Sequence, residues 1–163
     1  MKKLICVMLT ILMIASLFAG CGAKADDGVI NIAIIQQLDH SSLDEIRLAM
    51  QAQLDKIAAE KGVKVEYKHF NGQNDTSILA QIGTQVVSDG YDLILPIATV
   101  AAQYAVTAAE GKNIPIVYAA VSDPETAGLT GMSNVTGVSD ALNTPFIMDM
   151  MFAANPDIQT VGL

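Results

Sequence analysis

The chain has 163 residues, 52% of them hydrophobic and 16% charged, which suits one domain with a sizeable buried core and excludes a disordered chain. Its 9 basic and 17 acidic residues give a formal charge of −8, which argues against nucleic acid and against an anionic membrane surface as partners, since both call for basic patches. Two cysteines, Cys6 and Cys21, are too few for a disulfide framework or a cysteine-based zinc site.

Lys2 and Lys3 are followed by an uncharged run from Leu4 to Phe18 and then by the small residues Ala19 and Gly20. This is the pattern of a secretory signal peptide over residues 1–20. The run is shorter than the roughly 20 apolar residues that cross a bilayer core. Leu17-Phe18-Ala19-Gly20-Cys21 resembles the lipobox of bacterial lipoproteins, with Phe18 standing where leucine is usual. That resemblance implies cleavage before Cys21 and acyl chains such as palmitate on its sulfur, with residues 21–28 as a small, polar tether. Without Lys2 and Lys3 the remainder holds 7 basic and 17 acidic residues, a formal −10.

From Val29 onward, strand and helix patterns alternate. Val29–Ile35 (VINIAII) is a continuous β-branched run, as expected of a strand buried on both faces. Ser42-Leu43-Asp44-Glu45 reads as a capping box, opening a helix with Leu43, Ile46, Met50, Leu54, Ile57 and Ala58 on one face and Gly62 as its stop. Lys64–Phe70 alternates like a strand. Asn71–Asp75 is a loop ending in a cap for the next helix, which carries Ile78, Leu79, Ile82 and Val86 and closes at Gly90. Asp92–Ala98 is a second buried strand, and Thr99 can cap the Ala-rich helix that runs to Glu110. Pro115–Ala119 and Val135–Ser139 are two more strands. Thr144-Pro145 reads as a cap with proline at the first helical position, starting a helix to about Ala154. Ile147, Met150 and Met151 share a face of that helix, which points to core packing rather than copper. Asn155-Pro156 breaks it, and a last apolar strand starts at Thr160, as if the chain were a fragment. Strands and helices in alternation imply an α/β doubly wound parallel sheet.

Ligands of such sheets bind beyond the carboxyl ends of the strands. Those ends supply Gln36 to His40, Asn71, Ala98 to Gln103, Val121 to Pro124 and Ser139 to Asn143. Catalytic and cofactor motifs are missing: there is no G-x-G-x-x-G, no phosphate-binding G-x-x-x-x-G-K-S/T and no G-x-S-x-G. No cofactor is expected. His40 with Asp39 and Asp44 could ligate a metal, but a lone histidine beside acids is more often a loop residue, so no metal is expected. His69, in the alternating strand, reads as packed or exposed. Thr99 opens a helix whose free N–H groups suit a carboxylate or phosphate, and capping alone explains it equally well.

Four segments resemble one known family: Ile35–Asp44, Asp92–Gln103, Ile114–Pro124 with Ala127–Leu129, and Asn134–Asp140. They are similar, in order, to the substrate-binding lipoproteins of ABC importers of the tryptophan/tyrosine type. Ser41 and Val100 depart from it, since proline is common at both. The resemblance implies a type I periplasmic-binding-protein fold with two flavodoxin-like lobes. Residues 29–156 would be the first lobe, residues 157–163 would begin the crossover strand, and the second lobe would be truncated. It further implies a small-molecule ligand, an amino acid of the aromatic kind, held by Gln36, His40, Thr99, Gln103, Ser122, Asp123 and Asp140. An ABC permease is the implied partner, and the lipid on Cys21 would hold the chain outside the cytoplasm. A sensory receptor of the same fold and a secreted flavodoxin-like enzyme are the alternatives. The enzyme would need a nucleophile–base pair or metal cluster that the sequence does not display.

Overall fold

The computed structural model describes residues 28–160. The expected signal peptide, Cys21, the tether up to Asp27 and Val161–Leu163 of the expected last strand lie outside the described residues. Strands and helices alternate as β1 (Val29–Gln36), α1 (Ser41–Lys61), β2 (Lys64–Asn71), α2 (Thr76–Asp89), β3 (Leu93–Ile97), α3 (Thr99–Ala108), β4 (Ile116–Ala119), β5 (Val135–Val138) and α4 (Thr144–Ala154). The sheet order is β2-β1-β3-β4-β5 and every neighbouring pair is parallel. The expected doubly wound α/β sheet is therefore present.

The apolar run Ile32–Ile35 of β1 follows from its interior place between β2 and β3. Ala33 and Ile35 join Ile94 and Ile116 on one face, under Leu79, Ile82 and Val86 of α2 and Ala101 and Ala105 of α3. Ile32 and Ile34 join Leu95 and Ile97 on the other face, under Leu43, Ile46, Met50 and Leu54 of α1. Side chains that alternate between two covered faces leave no place for a polar residue within Ile32–Ile35, and Asn31 lies before that stretch, where burial is only partial. At the β2 edge, Lys64, Glu66 and Lys68 are exposed, and charges of this kind discourage edge-to-edge pairing.

The two faces are unequally covered. On the α1 side a groove of about 580 Å³ stays open between that helix (Ile46, Met50, Leu54, Ile57) and the sheet (Leu95, Ala119, Val138). The helix α4 does not fill it. No residue of α4 is buried, Phe146 is 57% and Met150 50% exposed, and none of its side chains joins a core cluster. The expected core packing of Met150 is thus corrected: an apolar stripe shows that a face favours burial, not that a partner lies against it.

Gly62 and Gly90 end α1 and α2 as expected, both in the left-handed region. Asp75 caps α2, its Oδ1 accepting from the N–H groups of Ser77 and Ile78 at 2.7 and 3.2 Å. Three other helix starts differ from the sequence reading. α1 begins at Ser41 and is capped by His40, whose Nδ1 accepts from the Ser42 N–H at 3.3 Å, so Ser42 is not the cap. α3 is preceded by Ala98, and Thr99 is already its first helical residue. α4 is capped by Asn143, which accepts from the Phe146 N–H at 3.1 Å, so Thr144 is helical and proline occupies the second position.

Candidate functional site

The five strands of the described residues point the same way, so their carboxyl ends form one edge of the lobe. Five short segments meet there, and hydrogen bonds between them fix their relative positions.

Gln36 ends β1 and is fully buried. Its Nε2 donates to the Leu38 carbonyl at 2.7 Å and to Asp44 Oδ1 at 3.2 Å, and its Oε1 accepts from Arg47 Nε at 3.2 Å. Arg47 also pairs with Asp44 at 3.2 Å, one turn away on α1. Every hydrogen-bonding atom of the Gln36 amide is engaged, so it anchors the 37–40 loop onto α1 rather than facing outward. The Gln36 hydrogen bond, and next the Arg47 guanidinium, hold the Asp44 carboxyl below the usual carboxylate range.

Gln37, one residue on, is half-buried and turned the other way. Its Nε2 donates to Asn74 Oδ1 at 3.1 Å and its Oε1 accepts from the Val100 N–H at 3.3 Å. The sequence reading passed over it. The signal was present in the Gln36-Gln37 pair, because adjacent residues at a strand end face opposite ways and only one can be the anchor.

His40 is exposed, with Nδ1 engaged by Ser42. Asp39 accepts a hydrogen bond from Asn71, and Asp44 belongs to Gln36 and Arg47. The three therefore do not gather as a metal site, and among the described residues no His, Cys, Asp and Glu cluster is arranged to hold one. His69 lies on β2, where loss of water and then the Arg47 charge lower its pKa.

At the end of β3 the backbone is strained. Ala98 has φ 78° and ψ 158°, a region nearly reserved for glycine, and Ala120 at the end of β4 has φ 54°. The two ends are tied by the Ala98 N–H donating to the Ala119 carbonyl at 3.0 Å. Strain at non-glycine residues persists where surroundings over-determine it, most often at ligand sites. Thr99 is half-buried at the first position of α3. Gln103, a turn later, is exposed and donates to the Ala127 carbonyl at 3.1 Å, which ties α3 to the β4–β5 loop.

Ser122 and Asp123 are exposed just past β4. The Ser122 carbonyl accepts from Ser139 Oγ at 3.2 Å, which brings the β5 end and Asp140 alongside. Asp123 accepts from the Thr126 hydroxyl at 2.6 Å and from the Thr126 N–H at 3.0 Å. Those bonds, the hydroxyl first, hold its carboxyl below the usual range and keep it ionised. Each carboxylate oxygen retains a second lone pair for another donor. Thus Thr99, Ser122, Asp123 and Asp140 lie on neighbouring strand ends of one edge, Gln36 lies inside it, and His40 and Gln103 serve first as cap and tie.

A model of the family described as ABC transporter substrate binding protein matches residues 31–163. The "Tyrosine-binding protein" of Clostridioides difficile is 33% identical over 138 residues, which is 82% of this chain and 39% of that protein. Among solved structures, an ABC domain in complex with L-Trp from Streptococcus pneumoniae is 35% identical with a TM-score of 0.66, over 77% of this chain and 43% of that one. The ligand-free, open form of a substrate-binding protein with adhesive properties from Clostridium difficile is 33% identical with a TM-score of 0.69, over 78% and 44%. The chain thus spans about two fifths of the length of these relatives. Its fold is that of one lobe of a type I periplasmic binding protein, and the chain belongs to the ABC transporter substrate-binding protein family.

Proposed function

We propose that this strand-end edge is one wall of a cleft that receives a free amino acid, aromatic in its side chain. The observation that carries the reading is a pair of opposite receptors on adjacent strand ends. The first turn of α3 offers N–H groups and the positive end of a helix, with no side-chain cap at Ala98. Asp123, past the neighbouring strand β4, offers an ionised carboxylate. The first suits a carboxylate and the second an ammonium, in charge-assisted hydrogen bonds. Thr99, Ser122 and Asp140 add polar groups around them. L-Trp, bound in one of the similar structures, and tyrosine, for which one relative is named, are molecules of that class.

In this reading the whole protein is an extracytoplasmic lipoprotein that delivers its ligand to an ABC permease. A second lobe closes over the edge from above, as the greater length of the relatives suggests. The open groove beside α1 and the exposed apolar face of α4 are surfaces that such additional chain can cover.

A thermal-shift screen of amino acids, sugars and metal ions tests the ligand class. A ligand at ten times its Kd adds about 1.4 kcal/mol to the stability of the folded state. L-Tryptophan or L-tyrosine is expected to raise the Tm by a few degrees, and Asp123→Ala to weaken that binding about tenfold. A rise with sugars or metals and with no amino acid contradicts the reading. An undiminished affinity in Asp123→Ala means that Asp123 serves only its turn with Thr126.

A further inference from the structure

The helix α3 starts without a cap of its own. Ala98 has no side-chain acceptor, so the first N–H groups of the helix need partners from elsewhere. Val100 finds one on another loop, donating to Oε1 of Gln37 at 3.3 Å. Gln37 is held for this task from three sides. Its Nε2 donates to Asn74 Oδ1 at 3.1 Å, its own N–H donates to the Ile97 carbonyl at 3.3 Å, and its carbonyl accepts from the Asn74 N–H at 2.9 Å. One half-buried amide thereby links the ends of β1 and β3 with the loop that precedes α2.

We infer that Gln37 is a neutral occupant of the ligand's carboxylate position: it caps α3 in the free lobe and yields the Val100 N–H to a carboxylate when ligand arrives. This rests on the reading of the α3 start as the carboxylate receptor. A carboxylate is the stronger acceptor, because its hydrogen bond is charge-assisted and its charge faces the positive end of the helix. The Gln37 amide is the weaker one, but it is tethered in place and always present. It lowers the fraction of molecules ready to bind, and so sets the apparent affinity without touching the bound ligand. Gln37 is thus a positioning residue with a regulatory effect, and the identity of the residue at 37 tunes how tightly the site holds an acid.

The test is titration of the full chain with L-tryptophan, followed by amide chemical shifts, with Gln37→Ala and Gln37→Glu run beside the unaltered protein. Gln37→Ala is expected to bind about three- to tenfold more tightly, the worth of one lost cap, while its Tm falls. Gln37→Glu is expected to bind more weakly than the unaltered chain, because its carboxylate takes the Val100 N–H with charge of its own and repels the ligand. Affinity and Tm moving in opposite directions in Gln37→Ala is a signature that a merely structural tie does not give, since loss of a tie lowers both. Binding that is weaker or unchanged in Gln37→Ala overturns the inference and leaves the amino-acid reading standing. No binding by the unaltered chain or by either variant overturns the amino-acid reading, and the inference with it.

Discussion

Replacing Gly137 by valine is expected to destabilise the lobe by about 3 kcal/mol and to lower its Tm by roughly 10 °C. Gly137 is the register partner of Tyr118 across the β4–β5 pair. A Cβ at 137 would run into the ring and the carbonyl oxygen of Tyr118 at once. The ring cannot swing clear, because Tyr118 is 8% exposed and packed with Ala102, Val121 and Leu129 beneath the β4–β5 loop. The carbonyl belongs to the backbone and moves only if the strands part. Thermal denaturation followed by circular dichroism measures the effect, with Thr136→Val as the control on an exposed neighbour. A Gly137→Val protein that melts with the unaltered chain would mean that β5 does not lie against Tyr118.

Cys21→Ser is expected to move nearly all of the protein from the membrane fraction to the soluble fraction. In the proposed lipoprotein the residues after position 20 carry a formal −10, which anionic lipid repels. Among the described residues no helix is long and apolar enough to cross a membrane. On the proposed acylation of Cys21, several acyl chains on one residue suffice for stable anchoring, and loss of the sulfur removes the point of attachment. Fractionation of cells that express each form reads this directly. Persistent sedimentation of Cys21→Ser with membranes would point to an uncleaved signal as the anchor.

The strands were legible because their chemistry is one-sided. The apolar stretches Ile32–Ile35 and Leu93–Ile97 inside the expected strands call for a sheet covered on both faces, and β1 and β3 are interior strands of it. Glycine stops at Gly62 and Gly90 were legible for the same reason, as few other residues end a helix that way. Helix starts were less so, since His40, Ser41 and Ser42 all carry acceptors and the backbone selects among them. The placement of α4 was not legible, because hydrophobicity reports an appetite for burial and not its partner.

The site was legible as an edge and not residue by residue. Strand ends named the loops, and the parallel sheet brings them together. Which of Gln36 and Gln37 turns inward depends on Arg47 and Asp44, eleven and eight positions further along the chain. Asp123 with Thr126 three residues later carries the pattern of an Asx turn, so its bond to Thr126 was visible in principle. The strain at Ala98 and Ala120 had no sequence signal, since alanine gives no hint of a positive φ.

The most direct measurement is an amide map of the ¹⁵N-labelled chain titrated with L-tryptophan. The expected result is a set of shifts at Gln37 to His40, Thr99, Val100, Ser122, Asp123 and Asp140, on the carboxyl edge of the sheet. Shifts confined to Met50, Leu54 and Val138 in the apolar groove, or to the opposite edge at Asn134, or none at all, would contradict the assignment of this edge as an amino-acid site.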